Sequence, residues 1–184
     1  GNILQLVPDL YEAWHAGKSV WKNYRLLNKY SIGIEISNPG HQYGYENFKK
    51  KQIISLKKLL KFLIKKHNIK PNAILGHSDI APERKKDPGE KFPWHAIAKN
   101  NLSLMQNLNS KKNIKLRGIK LSKKIEKKTF LNNLKKIGYM KINSINSKKK
   151  IILLTKAFQR RFRQDLVNGI IDKECFLISK NLLK

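Results

Sequence analysis

The chain has 184 residues, 40% of them hydrophobic, and its 40 lysines and arginines against 12 acidic residues give a formal charge of +28. This apolar fraction suffices for a core, and no apolar run approaches the roughly 20 residues of a membrane-spanning helix, so the sequence predicts no transmembrane segment. The charge indicates an anionic partner, such as nucleic acid, an acidic membrane or a cell-wall polymer, and the alternative is a solvated coat of lysines. The spread of lysines along the chain favours a diffuse coat over a groove-shaped patch. Only six basic residues are arginine and no nucleic-acid motif is present, which argues against nucleic acid.

The first half of the chain has a mixed α/β pattern. Residues 3–7 and 31–36 are predicted strands, the second of them ending at the turn sequence Asn38-Pro39-Gly40. Apolar residues recur at helical spacing across residues 47–67, and residues 73–76 form a further short apolar strand. This order predicts a mixed sheet with flanking helices.

The second half is predicted to be helical. One helix contains Phe130 and Leu134 and stops at Gly138. A second is capped by Ser147, and a third is capped by Asp172. The residues expected on the inner face of the third helix are Phe176, Leu182 and Leu183.

The composition changes near residue 100, which predicts two domains. All six prolines, three tryptophans and five histidines lie before that point. Residues 1–100 carry 18 basic and 8 acidic groups, whereas residues 101–184 carry 22 and 4. We expect a first domain over 1–100, a linker over 101–120 and a three-helix domain over 121–184. No feature specifies an oligomeric state.

The sequence GHSDIAPERKKDPGEKFPW, residues 76–94, brings together groups that suit a hydrolytic metal site. His77 and Asp87 offer ligands for Zn²⁺, which in catalytic sites takes three protein ligands and a water. Lys85 could stabilise an oxyanion, and Glu35 on a neighbouring predicted strand could transfer protons. On spacing alone the plainer interpretations are favoured: His77 is a loop histidine bonded to backbone, Asp87 is a turn former in Asp-Pro-Gly, and Lys85 is one more lysine in a lysine-rich chain.

The full string resembles the signature of the type-2 N-acetylmuramoyl-L-alanine amidases, zinc enzymes related to the peptidoglycan recognition proteins. Two upstream segments are also similar to that family: AWHAG at residues 13–17 and YSIGIE at residues 30–35. The three segments keep the family's order and spacing, and the resemblance covers about residues 1–99. It implies an α/β amidase-like domain that hydrolyses the bond between N-acetylmuramic acid and L-alanine in peptidoglycan.

The resemblance also implies roles for individual residues. His77 and Asp87 become zinc ligands, Lys85 the transition-state stabiliser and Glu35 the catalytic carboxylate. Three further residues would line or brace the substrate cleft: Trp14, His15 and Trp94. For these three, a place in the packed core is nearly as good an interpretation.

The second half resembles the three-helix peptidoglycan-binding domain that often follows this amidase domain. The similarity lies in FLxxLxxIGY from residue 130, AFQRRF from residue 157 and NGIID from residue 168. A helical bundle of no special function is the alternative. The combination of an amidase-like domain with a peptidoglycan-binding-like domain implies peptidoglycan or muropeptides as partners. It also implies a cell-envelope location, most simply the periplasm.

One departure from the family leaves two hypotheses open. The family's first zinc ligand is a histidine on a strand upstream of the segment that matches Gly1, and no residue here replaces it obviously. We therefore expect the chain to lack its first strand. It would be either a part of an intact enzyme or an inactive remnant that only binds peptidoglycan.

Overall fold

A computed structural model describes residues 1–108, 110–139 and 147–184. Two short strands, β1 (Val20–Trp21) and β2 (Tyr24–Arg25), precede the helices. The α-helices are α1 (Lys50–His67), α2 (His77–Ile80), α3 (Trp94–Ala98), α4 (Ser110–Asn113), α5 (Lys124–Ile137), α6 (Lys148–Phe162) and α7 (Lys173–Asn181). None of the helices in these ranges has the length and hydropathy required to cross a membrane.

The predicted mixed sheet is not formed by the described residues. Their sheet is the antiparallel pair β1 and β2, in which Val20 lies opposite Arg25. The strands expected at 3–7, 31–36 and 73–76 are wrong as assigned. A strand exists only where a neighbouring segment supplies hydrogen-bond partners, and the described residues supply no ladder to these three segments.

The long helix of the first half is confirmed as α1 and ends as its sequence indicates. Asn68 follows it in the left-handed conformation at φ 51°, a common way for a helix to terminate. Its buried positions Leu56, Leu60 and Leu63 recur at intervals of three and four residues, so they form one face. Lysines occupy much of the opposite face.

The three predicted helices of the second half are confirmed as α5, α6 and α7. The hydroxyl of Ser147 accepts a hydrogen bond from the backbone of Lys150, and Asp172 accepts one from Cys175, so both predicted caps form. Gly138 ends α5 at φ 141°. Leu183, predicted to lie inside, follows the end of α7 and is 39% exposed.

A first hydrophobic core joins the two halves of the chain. Three buried residues of the first half, Ala16, Trp21 and Leu27, belong to the same cluster as the inner faces of α5, α6 and α7. The helices therefore pack directly against the hairpin and its flanking loop. The domain boundaries at 100 and 120 stay predictions, and residue 109 of the predicted linker lies outside the described residues.

A second core lies beneath α1. It contains Leu56 and Leu60 of α1 together with Phe92, Trp94 and Ile97. The segment 76–94 thus begins beside the first core, where Leu75 and Ile80 pack, and ends in the second. Both ends of this segment are anchored, which fixes the loop between them.

Candidate metal centre and its surroundings

His77 and Asp87 lie side by side, ten positions apart in the chain. The imidazole Nδ1 of His77 is 3.0 Å from Oδ2 of Asp87. His77 is the first residue of α2, and Asp87 lies on the loop that follows. The backbone amide of Ser78 donates to the carbonyl of Asp87 at 2.8 Å, so the main chain itself folds the loop back onto the helix.

The other nitrogen of His77 faces a backbone carbonyl. Nε2 lies 3.2 Å from the carbonyl oxygen of Ala16. Without a metal, a proton on Nδ1 is donated to Asp87. With a metal bound, a proton on Nε2 would be donated to the Ala16 oxygen and the Nδ1 lone pair would be free to coordinate the ion. Metal-binding histidines commonly donate their second N–H in this way, which fixes the ring orientation.

Arg84 holds the same carbonyl and was not singled out by sequence reasoning. Its guanidinium donates to the carbonyls of Ala16 and Lys18, the second at 3.0 Å, and approaches Nε2 of His77 at 3.4 Å. The absence of a side chain at Gly17 leaves room for the Arg84 guanidinium, since a Cβ at Gly17 would lie 3.1 Å from it. Arg84 occupies a fixed position of the signature at residues 76–94, so the signature could have identified it as a site residue.

The Asp87 carboxylate is 58% exposed, and its charge is stabilised by neighbours. Partial burial raises its pKa, but the hydrogen bond and charge of His77, with a contribution from the Lys85 ammonium, outweigh this and hold the pKa below its usual range. Lys85 therefore lies within electrostatic reach of Asp87. The carboxylate is ionised at neutral pH, as metal coordination requires.

The remaining predicted site residues occupy different environments. Glu35 is exposed between Ile34 and Ile36, which pack against the second core. His15 bridges two segments, with Nδ1 2.8 Å from the carbonyl of Ala13 and Nε2 3.0 Å from Oγ of Ser31. Its ring also lies against Gly33.

The two predicted cleft tryptophans differ sharply in exposure. Trp14 is 93% exposed, and Trp94 is 4% exposed. The Trp94 ring packs near Gly76, where a Cβ would come within 3.2 Å of it. That position suits a residue that braces the start of α2. The cleft roles of Trp14, His15 and Trp94 stay predictions.

The donor set of the His77–Asp87 pair fits zinc. Two ligands at about 2.0–2.2 Å from a tetrahedral zinc stand roughly 3.3–3.6 Å apart, so the observed 3.0 Å separation needs to widen by only a few tenths of an ångström. Across residues 1–108, 110–139 and 147–184, no three His, Cys, Asp or Glu side chains gather closely enough to hold a metal. The pair would supply two of the three protein ligands that a catalytic zinc takes, and its assignment as a ligand pair stays a prediction.

A histidine and an aspartate held together in this way are ligand types that hydrolytic metal sites use. A sequence profile of the N-acetylmuramoyl-L-alanine amidase family matches residues 1–90. The chain is 36% identical to the N-acetylmuramoyl-L-alanine amidase AmiD of Escherichia coli, over 100% of this chain and 67% of that protein. It is 38% identical to the 1,6-anhydro-N-acetylmuramyl-L-alanine amidase AmpD of Haemophilus influenzae, over 51% of this chain and 50% of that one.

Solved structures agree with the sequence relationship. The structure of E. coli AmiD in complex with anhydro-N-acetylmuramic acid-L-Ala-D-gamma-Glu-L-Lys superimposes with a TM-score of 0.85 at 33% identity, over 99% of this chain and 72% of that one. AmpDh3 from Pseudomonas aeruginosa gives a TM-score of 0.83 at 29% identity, over 97% and 71%.

The chain belongs to the N-acetylmuramoyl-L-alanine amidase family, whose members are hydrolases of peptidoglycan. This confirms the family and the amidase fold predicted from the signature. The chain spans about two thirds of the AmiD sequence and about half of the AmpD sequence.

Proposed function

We propose that this chain hydrolyses the amide between the lactyl group of N-acetylmuramic acid and L-alanine in a zinc-dependent reaction. The observation that carries this is the pairing of His77 Nδ1 with Asp87 Oδ2 at 3.0 Å, with the second nitrogen of His77 held at the Ala16 carbonyl. A bound zinc ion would supply a Lewis acid and lower the pKa of its water to about 7.

The protein's own residues divide the remaining work. His77 and Asp87 would hold the ion, and the carbonyl of Ala16 would keep the imidazole in the required tautomer. Lys85 would place a fixed positive charge beside the carbonyl oxygen as negative charge develops there. Its half-buried position next to Asp87 supports this role.

Glu35 is proposed as the group that moves the proton. The carboxylate would take a proton from the attacking water and deliver it to the nitrogen of the departing L-alanine as the C–N bond breaks. The exposure of Glu35, between two inward-facing isoleucines, leaves its carboxylate accessible to solvent and substrate.

Muropeptides are the proposed substrates, and the cell envelope, most simply the periplasm, is the proposed place of action. The structure of AmiD was solved with an anhydro-muramyl peptide and that of AmpDh3 with anhydromuramic pentapeptide. A small soluble ligand of this class is therefore the first substrate to test. The charge of +28 also suits an anionic polymer such as peptidoglycan.

The test is release of free stem peptide from anhydro-N-acetylmuramyl tripeptide, followed by mass spectrometry with and without added Zn²⁺. We expect zinc-dependent release by the parent chain and none by His77→Ala or Asp87→Asn. His67→Ala is the matched control, since His67 contacts Asp9 and not the candidate centre. Peptide release that is unchanged in both site variants would exclude this mechanism, and sedimentation with peptidoglycan without cleavage would favour a binding role.

A further inference from the structure

Helix α2, which begins at His77, depends on a buried carboxylate two residues further on. Asp79 is 1% exposed, and its Oδ2 accepts a hydrogen bond from the backbone amide of Gly76 at 2.8 Å. This bond satisfies an amide at the start of the helix that would otherwise lack a partner. Asp79 therefore fixes the backbone on which His77 sits.

Arg161 of α6 binds the chain on both sides of His77. One guanidinium nitrogen donates to Oδ2 of Asp79 at 2.7 Å, and another donates to the carbonyl of Ile74 at 2.7 Å. The side chain is 2% exposed and lies 4.1 Å from the centre of the Trp94 ring. A planar fork can hold two acceptors at once, which a lysine ammonium on a flexible stem cannot reproduce.

Tyr139, two residues after the end of α5, completes the shell around Asp79. Its hydroxyl donates to Oδ1 of Asp79 at 2.6 Å, and the residue is 1% exposed. Both oxygens of the carboxylate are therefore engaged, one by Tyr139 and the other by Arg161 and Gly76. A buried charge with all its hydrogen bonds satisfied has one well-defined orientation.

The same unit extends to Asp87. Ser78, between His77 and Asp79, is 3% exposed, and its amide donates to the Asp87 carbonyl. Gly76 is closed in by Pro88 and Trp94, since a Cβ there would come within 2.8 Å and 3.2 Å of them. A shift of α2 would therefore move both members of the His77–Asp87 pair.

We propose that Arg161 and Tyr139 are positioning residues that hold the His77–Asp87 pair in register, so that the C-terminal helices form part of the metal centre's support. This proposal rests on the function proposed above, because it assigns the support of the same site. Neither residue lies in the signature, and Arg161 is 82 positions from Asp79. The C-terminal region would then contribute to the chemistry as well as to any contact with peptidoglycan.

The test is native-state hydrogen exchange on the metal-free full chain, which requires neither zinc nor substrate. Tyr139→Phe removes one hydroxyl, and Arg161→Lys keeps the charge but loses the fork. We expect protection of the Ser78 and Asp79 amides to fall about tenfold in Tyr139→Phe and further in Arg161→Lys. The amides of Leu134 and Phe158, in the first core, should change much less. Tyr43→Phe and Arg25→Lys, at exposed positions, are the matched controls.

A parallel zinc titration should show weaker binding in both variants and parental binding in both controls. Protection at Ser78 and Asp79 equal to that of the controls would overturn the proposal. A uniform loss of protection over the whole chain in both variants would also overturn it, because it would assign the two residues to general stability. If His77→Ala binds zinc normally, the proposed function fails, while the exchange result still reports on the support of α2.

Discussion

The indole of Trp21 lies directly against Gly138, so that the hairpin of the first half closes on the end of α5. A Cβ on Gly138 would collide with the Trp21 ring, and the amide of Lys22 donates to the carbonyl of Gly138 at 2.7 Å. The two halves of the chain therefore meet backbone to backbone at this point, one residue before Tyr139.

Gly138→Ala should destabilise the protein more than the same substitution at an open glycine. At φ 141° an added Cβ is strained, and here it also overpacks the indole, which together should lower the free energy of unfolding by about 2–5 kcal/mol. Gly40→Ala is the control, at φ 73° with no heavy atom near the added Cβ, and should cost only about 1–2 kcal/mol. Urea denaturation measures both, and equal losses would show that Trp21 does not oppose the methyl group.

Lys85→Met should lower kcat without weakening zinc binding. If the ammonium stabilises the developing oxyanion, its loss should reduce kcat about 100-fold or more, because that interaction strengthens in the transition state. Lys86→Met is the neighbouring control and should leave turnover near the parental value, since Lys86 is exposed and Lys85 is half-buried. Equal effects in the two variants would point to the loss of overall charge.

Asp9 should contribute to stability in a pH-dependent way. Its carboxylate accepts hydrogen bonds from Lys66 at 2.7 Å and His67 at 2.8 Å at the end of α1, and these bonds lower its pKa well below the usual value. A lowered pKa means that this contribution is complete above the unfolded-state pKa of about 3.9 and is lost as the pH falls below it.

The measurement is the difference in unfolding free energy between the parent and Asp9→Asn, followed from pH 6 downward. The difference should stay constant to about pH 4 and then shrink. Glu12→Gln, at an exposed position nearby, controls for the general effect of removing a carboxylate. A difference that grows on acidification would contradict the assigned sign.

Cys175 should be chemically inert in the folded protein. Burial, the largest effect, raises the pKa of its thiol to about 12, and the side chain has no exposed surface. Because the thiolate is the reactive form, alkylation at pH 8 should be at least about 1,000-fold slower in the native protein than in urea. Rapid alkylation under native conditions would show that α7 opens readily.

The sequence correctly predicted the structural features that depend on residues close together in the chain, such as helix ends. Gly138, Ser147 and Asp172 mark helix ends because caps are made within a few positions of the helix. The strand predictions at 3–7 and 31–36 are wrong because a strand also needs a partner segment, which periodicity does not specify. The Leu183 prediction is wrong because helical spacing was extended past the end of α7 at Asn181.

In the candidate site too, the sequence predicted contacts between residues close in the chain and missed contacts between distant segments. The signature placed His77 and Asp87 within one loop, and the structure holds them in contact. It did not indicate the Ala16 carbonyl, which lies 61 positions from His77, or the Arg161 guanidinium, which reaches Asp79 from α6. Such contacts arise from the packing of distant segments, so composition and spacing alone do not reveal them.

Zinc X-ray absorption on the full chain, compared with His77→Ala and Asp87→Asn, tests most directly whether these two side chains share one ion. We predict a first shell of nitrogen and oxygen at about 2.0–2.2 Å, with imidazole scattering lost in His77→Ala and zinc affinity lowered in both variants. If both variants retain the parental spectrum and affinity, the metal binds elsewhere and the assignment of residues 77 and 87 is contradicted.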